Sequence, residues 1–402
     1  MKLLFLLGHR LVIGGHFKTT QAWVAALTQQ GHETVVLGHD AADALIAPFR
    51  SAGAAYVTLE SCVPDGMLDG SLRSRARLAG ALADVGGRLK PDVLHVQDQP
   101  MLVPGYWAAC RMGVACLYVQ AGGEHRNDNP PPKCRLVVCS EEQIDGYAGE
   151  GVPATLVQAR IDRKRYCPGE ASERARSLLR PAAGGLSCFM AIRLSPEKRP
   201  WLETMLRLAG DPHLPAGSCL VIAGDGPLRR EFEERAADTG GTPERRGCVR
   251  FIGPVYDDGE LGDLYRAADV VLGNGRGIME ALSCGRAAVV LGEDGESEMV
   301  YDRTAYEIAY CNFSGRHFRK ETAKNARPTW LDALTDGDRR REIWTWSAAY
   351  AAQHLDADIG ARRLLAMYAT LRAPKRTDFW RWILARRFRR LWCQRMPPGG
   401  RS

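Results

Sequence analysis

Short Leu-, Val- and Ile-rich runs recur from the first residue onward. Between them lie longer stretches whose apolar positions fall three and four apart. The runs read as strands buried on both faces and the stretches as helices packed over them, the pattern of βα units in a parallel sheet. In the first half the predicted strands are 3–7, 34–37, 56–59, 93–96, 115–119, 136–139 and 154–157. A helix over 17–30 is stopped by Gly31, and one over 141–148 is started by Ser140, with Gln143 completing a capping box. Pro130, Pro131 and Pro132 mark a loop.

From 162 to 180 the rhythm is broken by charge and by Pro168, with Pro181 following. A second series then predicts strands at 188–192, 219–223, 249–252, 270–272 and 287–291. The expected organisation is a first Rossmann-like domain over 1–160, a linker over 161–184, and a second such domain over 185–350. Helices over 351–373 return to the first domain, and a basic aromatic tail covers 374–402. Two doubly wound domains on one linker are expected to face each other across a cleft at the carboxyl ends of their sheets.

Composition changes this picture in three places. The 402 residues, 45% of them hydrophobic, suffice for two ordinary cores. The twelve cysteines lie scattered in apolar runs without metal-ligand spacing, which predicts reduced core thiols. The net charge of +7 resides in the tail: residues 375–402 hold nine Lys/Arg against one acid, and the remainder holds 45 against 46. No general field for nucleic acid follows. The opening apolar run, 3–7, is too short for a signal peptide and no run reaches membrane-spanning length, so a cytoplasmic location is expected.

Candidate chemistry sits in the turns that follow strands. Gly14 and Gly15 precede the first helix, where glycine lets a backbone approach a phosphate and the helix start supplies amides. Arg193 and Lys198 leave the first strand of the second series and suit a diphosphate leaving group. Gly224 and Gly226 form a turn before Pro227. Gly273, Gly275 and Gly277 alternate as in an anion nest, with Arg276, Ile278 and Met279 among them and Glu280 expected in the first turn of the next helix. Singly, each of these motifs also fits an ordinary tight turn, a solvated loop or a capping carboxylate.

In order, however, they resemble family 4 of the retaining glycosyltransferases, whose GT-B fold has two facing Rossmann-like domains. The resemblance covers roughly 1–372. It runs through Gly31-His32-Glu33, PDVLHVQ (91–97), RLSPEK (193–198), VIAGDGP (221–227), VRFIGPV (249–255), YRAADVVLG (265–273) and MEALSCGRAAVV (279–290). It implies transfer of a sugar from a nucleotide-diphosphate-sugar of UDP or GDP type to a hydroxyl of a carbohydrate or lipid-linked acceptor, without metal or other cofactor, as in cell-envelope polysaccharide or glycoconjugate synthesis. Arg193 and Lys198 would hold the pyrophosphate and Gly14 and Gly15 would close over it. Gly226 and the 252–255 segment, Val255 included, would line the base pocket. Glu280 would take the ribose, and the amides around Gly277, Ile278 and Met279 the phosphate.

Two departures stand out. The first of the family's paired glutamates falls at Leu272, where this chain has a shortened glycine loop, and the family's strand-end His is replaced by Ala121 and Gly122, leaving Gln120, Glu124 and His125 as substitutes. The departures suggest one alternative, a catalytically impaired membrane-docked partner protein; a nucleotide-sugar epimerase of the same fold, with an acid/base pair in the cleft and no acceptor, is another. In the tail, Phe379, Trp380, Ile383, Leu384, Phe388, Leu391 and Trp392 fall on one side of a helix over 378–392. Arg381, Arg386, Arg389 and Arg390 lie mostly elsewhere, and Arg387 interrupts the apolar face. This composition predicts an interfacial helix on an anionic membrane surface.

Overall fold

A computed structural model describes residues 1–8, 14–62, 72–97, 99–120, 122, 124–125, 130–238, 247–320 and 330–395. The first strands and helices are β1 Lys2–Leu7, α1 Gly15–Gln29, β2 Glu33–Gly38, α2 Asp43–Ser51, β3 Ala55–Thr58, α3 Leu59–Cys62 and α4 Leu72–Leu89. They continue with β4 Val93–Gln97, α5 Leu102–Met112, β5 Ala115–Val119, β6 Cys134–Val138, α6 Glu141–Gly149 and β7 Ala154–Leu156. All seven strands form one parallel sheet in the order β3-β2-β1-β4-β5-β6-β7. The order reverses between β1 and β4, because the chain winds one way from β1 and the other way from β4.

The second series is α7 Glu173–Leu179, β8 Ser187–Ala191, α8 Arg199–Ala209, β9 Ser218–Ala223, α9 Arg229–Asp238, β10 Gly247–Gly253, α10 Asp258–Ala267, β11 Val270–Gly273 and α11 Arg276–Ser283. It closes with β12 Ala287–Leu291, β13 Ser297–Met299, α12 Arg303–Tyr310, α13 Trp330–Thr335 and α14 Gly337–His354. Its sheet runs β10-β9-β8-β11-β12-β13, parallel except for β13 against β12, and reverses between β8 and β11. Alternate residues serve two cores: Phe189, Val221 and Val271 on one face, Cys188, Met190, Leu220, Ile222, Val270 and Leu272 on the other. Burial on both faces is why these strands are apolar throughout.

The chain forms two compact units, residues 1–157 with 360–402 and residues 158–359. The 161–184 segment, expected as a linker, is instead built into the second unit. Ile161, Tyr166, Ala171, Ala175 and Leu179 enter its core, and the charges that suggested a linker are held by partners, Arg165 with Asp258 at 3.0 Å and Arg174 with Glu260 at 3.2 Å. The expected end of the second domain at 350 shifts to 359 for the same reason, since Ala351 and Leu355 also lie in that core. Residues from 360 onward belong to the first unit. In α15, Ala357–Tyr368, the Tyr368 hydroxyl reaches Nδ1 of the fully buried His95 at 2.6 Å.

α16, Arg376–Arg395, completes the first unit. Its predicted apolar side is not uniform in use. Phe379 and Trp382 are buried in the core of this unit, with Phe379 stacked on Trp107 of α5 at 4.6 Å and Trp382 edge-on to Tyr106, while Trp380 and Leu384 are half exposed. The side chains of Arg387, Phe388, Arg389, Arg390, Leu391 and Trp392 lie outside the described set, as do residues 9–13 of the first loop and Ala121. No described helix is long and apolar enough to cross a membrane.

Candidate functional site

In the second unit the turns after β8 and β9 are joined backbone to backbone. Ile192 N donates to Ala223 O, Leu194 N to Asp225 O, and Leu228 N to Leu194 O, each at 2.9 Å. Gly224 and Gly226 make this approach possible. With φ of 149° and 150°, a Cβ at 224 would stand 1.8 Å from Ile192 O, and one at 226 would stand 2.4 Å from Leu194 O. Gly224 N also donates to Gly253 O at 2.8 Å, which ties in the end of β10 just before Val255. Both turn glycines are thus spent on packing three turns into one rim.

Cations stand on that rim. Arg193, half exposed, pairs with Glu197 at 2.9 Å and contacts Ser195 Oγ. Lys198 Nζ lies 4.1 Å over the ring of Trp201, whose indole N–H donates to Leu291 O at the end of β12. Burial pushes the Lys198 ammonium below the ordinary lysine range, offset by the carboxylates of Glu197 and Glu293 and reinforced by the Arg193 cation. The structure therefore brings Arg193 and Lys198 into one electrostatic cluster. It adds Trp201 and Glu293, which the sequence reading missed. Trp201 stands three residues after Lys198, a spacing that already signals helix neighbours, whereas Glu293 is close only through the fold.

β11 lies beside β8, with Val271 opposite Phe189, so the α11 start belongs to the same sheet edge. Gly273 has φ 153° and Gly275 φ 64°; the latter donates its amide to Phe313 O, which removes it from the expected nest. The helix begins at Arg276, leaving the Gly277 and Ile278 amides in a first turn without intrahelical carbonyls, followed by Met279, whose amide reaches Gly275 O at 3.4 Å. Glu280 is consequently the fifth residue of α11, not a first-turn residue. The residue is only 4% exposed, its carboxylate accepting from Arg276 Nε at 2.7 Å and from the Tyr265 hydroxyl at 3.2 Å. Arg276 also donates to Arg160 O at 3.0 Å. Burial, with the Glu280 charge second, pushes the Tyr265 and Tyr166 hydroxyls well up and keeps both neutral.

The remaining candidates belong to the first unit. Gly14 is the extended N-cap residue of α1, its carbonyl accepting from Phe17 and Lys18, and Gly15 opens the helix. Gln120 is buried directly after β5, its backbone N–H donating to Val137 O. Glu124 is exposed. His125 Nε2 is 2.9 Å from Glu150 Oε1 and its ring meets Tyr147 edge-on, in room left by Gly146, where a Cβ would fall 2.4 Å from the imidazole.

No protein-family model matches the chain, and neither does any curated protein. Solved structures do match. A glycosyltransferase from Rickettsia africae is 12% identical, with 92% of this chain and 98% of that one covered at a TM-score of 0.68. HepE from Anabaena, solved with UDP and glucose, is 17% identical over 92% and 100% of the two chains, TM-score 0.63. A sucrose-phosphate synthase from Thermosynechococcus elongatus is 13% identical over 92% and 98%, TM-score 0.62. These define the class of fold: two Rossmann-like α/β domains of the GT-B glycosyltransferase type.

Proposed function

We propose that the chain is a retaining, metal-independent hexosyltransferase of family 4 type, moving a sugar from a UDP- or GDP-type donor to a hydroxyl of a carbohydrate or glycolipid acceptor, in cell-envelope polysaccharide or glycoconjugate synthesis. The observation that carries this reading is the single rim at the carboxyl edge of the second sheet, where Arg193 and Lys198 meet turns zipped by Gly224 and Gly226 beside the open start of α11. Such a rim suits a diphosphate: fixed cations and helix amides neutralise charge as it grows on the leaving oxygen. The UDP and glucose held by HepE support the same ligand class.

In the proposed reaction the sugar C1–phosphate oxygen bond breaks as the acceptor oxygen bonds to C1 from the same face. The acceptor proton passes to the departing phosphate. Lys198 and Arg193 stabilise that phosphate, and the Gly277 and Ile278 amides bind it. Glu280, aimed by Arg276 and Tyr265, is the acceptor assigned to the ribose hydroxyls. Val255 and Gly226 line the base side. Incubation with UDP- and GDP-sugars and an acceptor, followed by product analysis, tests the reading. Lys198→Ala should lower turnover on the order of 100-fold, and a chelator should leave it unchanged. Undiminished turnover in Lys198→Ala would move the donor site elsewhere, and an epimerised nucleotide-sugar with no acceptor product would replace transfer by epimerisation.

A further inference from the structure

The tail helix is not the only carrier of positive charge in the first unit. α4 and α16 both pack on α5, and Leu82, Tyr106 and Phe379 from the three helices share one core. Each helix then presents a stripe outward. On α4 this stripe is Arg73, Arg77, Asp84 and Arg88, all exposed at helical spacing. α5 contributes Trp107 and the exposed Arg111, one turn apart, with Arg111 Nη1 reaching over Gly80 of α4, 3.7 Å from where a Cβ there would stand. On α16 it is the exposed Arg376 and Arg381 with the half-exposed Trp380 and Leu384, again one turn apart.

Three helices therefore form one surface on which, among the described side chains, six exposed arginines face a single exposed acid, Asp84. The other acid of this layer, Asp378, is buried and neutralised by Lys133 at 2.8 Å. At its centre Trp107 and Trp380 meet edge to face, 5.7 Å apart. A dense cationic field around an amphipathic indole pair and a protruding leucine complements one kind of surface. Arginines pair with anionic headgroups, tryptophan settles at headgroup depth, and leucine enters the acyl boundary.

We infer that the α4–α5–α16 face of the first unit docks on an anionic lipid bilayer, with Trp380 and Leu384 as the inserting residues and the arginines of α4 and α5 as part of the contact. Phe379 and Trp382 hold the helix to its own domain and take no part. This inference is independent of the transferase reading, and its test involves no turnover.

Flotation of the full chain with vesicles of phosphatidylcholine alone, and with vesicles carrying about one-third phosphatidylglycerol, reads it directly. Binding is expected only to the anionic vesicles and should fall away at about 0.5 M salt as screening shortens the field. Trp380→Ser with Leu384→Ser, and separately Arg73→Glu with Arg77→Glu, should each cut binding at least about fivefold while the melting temperature stays within a degree or two of the parent. Equal binding to neutral vesicles, undiminished binding by both variants, or no binding at all overturns the inference. So does a dimer of the full chain that Trp380→Ser with Leu384→Ser dissociates, since a second copy would then cover the face.

Discussion

His95 is the clearest case of a residue whose setting fixes its chemistry. It lies on β4 between Phe5 and Trp23, with no exposed surface, and burial depresses its imidazole pKa to about 3. The unfolded chain, by contrast, protonates this ring near 6.5. Between those two values the unfolded state binds more protons than the folded one, so stability is intact above pH 6.5 and is lost as pH falls toward 3. From pH 7 to pH 5 this single group should remove about 2 kcal/mol. Denaturant titration of the parent and of His95→Gln at both pH values checks it: the variant should lose less on acidification, and an unchanged pH slope would mean that the ring takes up protons alike in the folded and unfolded chain. Lys198 follows the same logic at the other end of the scale. Its depressed pKa means the ammonium is surrendered at lower pH than an exposed lysine would surrender it, so the hold on a phosphate proposed for it should fail earlier on the alkaline side.

Among elements, the β8–β9 pair shows how a motif that resembles a ligand loop is first a packing device. Gly224→Ala would drive a methyl group into Ile192 O and also require a φ that alanine rarely adopts. The expected cost is on the order of 3 kcal/mol or more, read as a lower melting temperature together with lost nucleotide binding. Parent-like melting would mean that the two turns are not in backbone contact. The same elements explain what the sequence disclosed. β9 and β12 were legible because both faces are buried, which leaves an uninterrupted apolar run such as Leu220-Val221-Ile222. α6 was legible because Ser140 and Gln143 declare its start: Gln143 N donates to Ser140 Oγ as that cap requires, while Gln143 Oε1 accepts from Cys139 N, one residue before the N-cap. β13 was not legible: Ser297-Glu298-Met299 carries no apolar run and is a strand only because it folds back on β12. The 161–184 segment misled because its charges find partners on α10, and partners distant in sequence leave no local trace. For the site the division is similar. Arg193 and Lys198 were readable from one loop, while the orientation of Glu280 depends on Tyr265 from α10 and Arg160 from outside the helix.

At the scale of the whole molecule, charge and chemistry are divided between the two compact units: the basic helix layer belongs to the first, and the cation-bearing rim belongs to the second. On the proposed reading a nucleotide diphosphate selects the rim, where the described residues bring cations and a helix start to one sheet edge. Hydrogen exchange of the full chain with and without UDP and GDP, each at about 100 times its dissociation constant, should resolve this. Binding at that ratio stabilises the folded state by about 2.7 kcal/mol, enough to slow exchange wherever the ligand closes local opening. Protection is expected in peptides spanning 192–198, 224–228 and 275–279, whose amides lie in the turns that the ligand would bridge. It is not expected in α4 or α16. The turns after β8 and β9 share backbone hydrogen bonds, so they should gain protection together; protection of one without the other would contradict the zipped geometry, and protection confined to the arginine-bearing helices would mean that the phosphates are bound as a generic anion by the basic layer instead of by the rim.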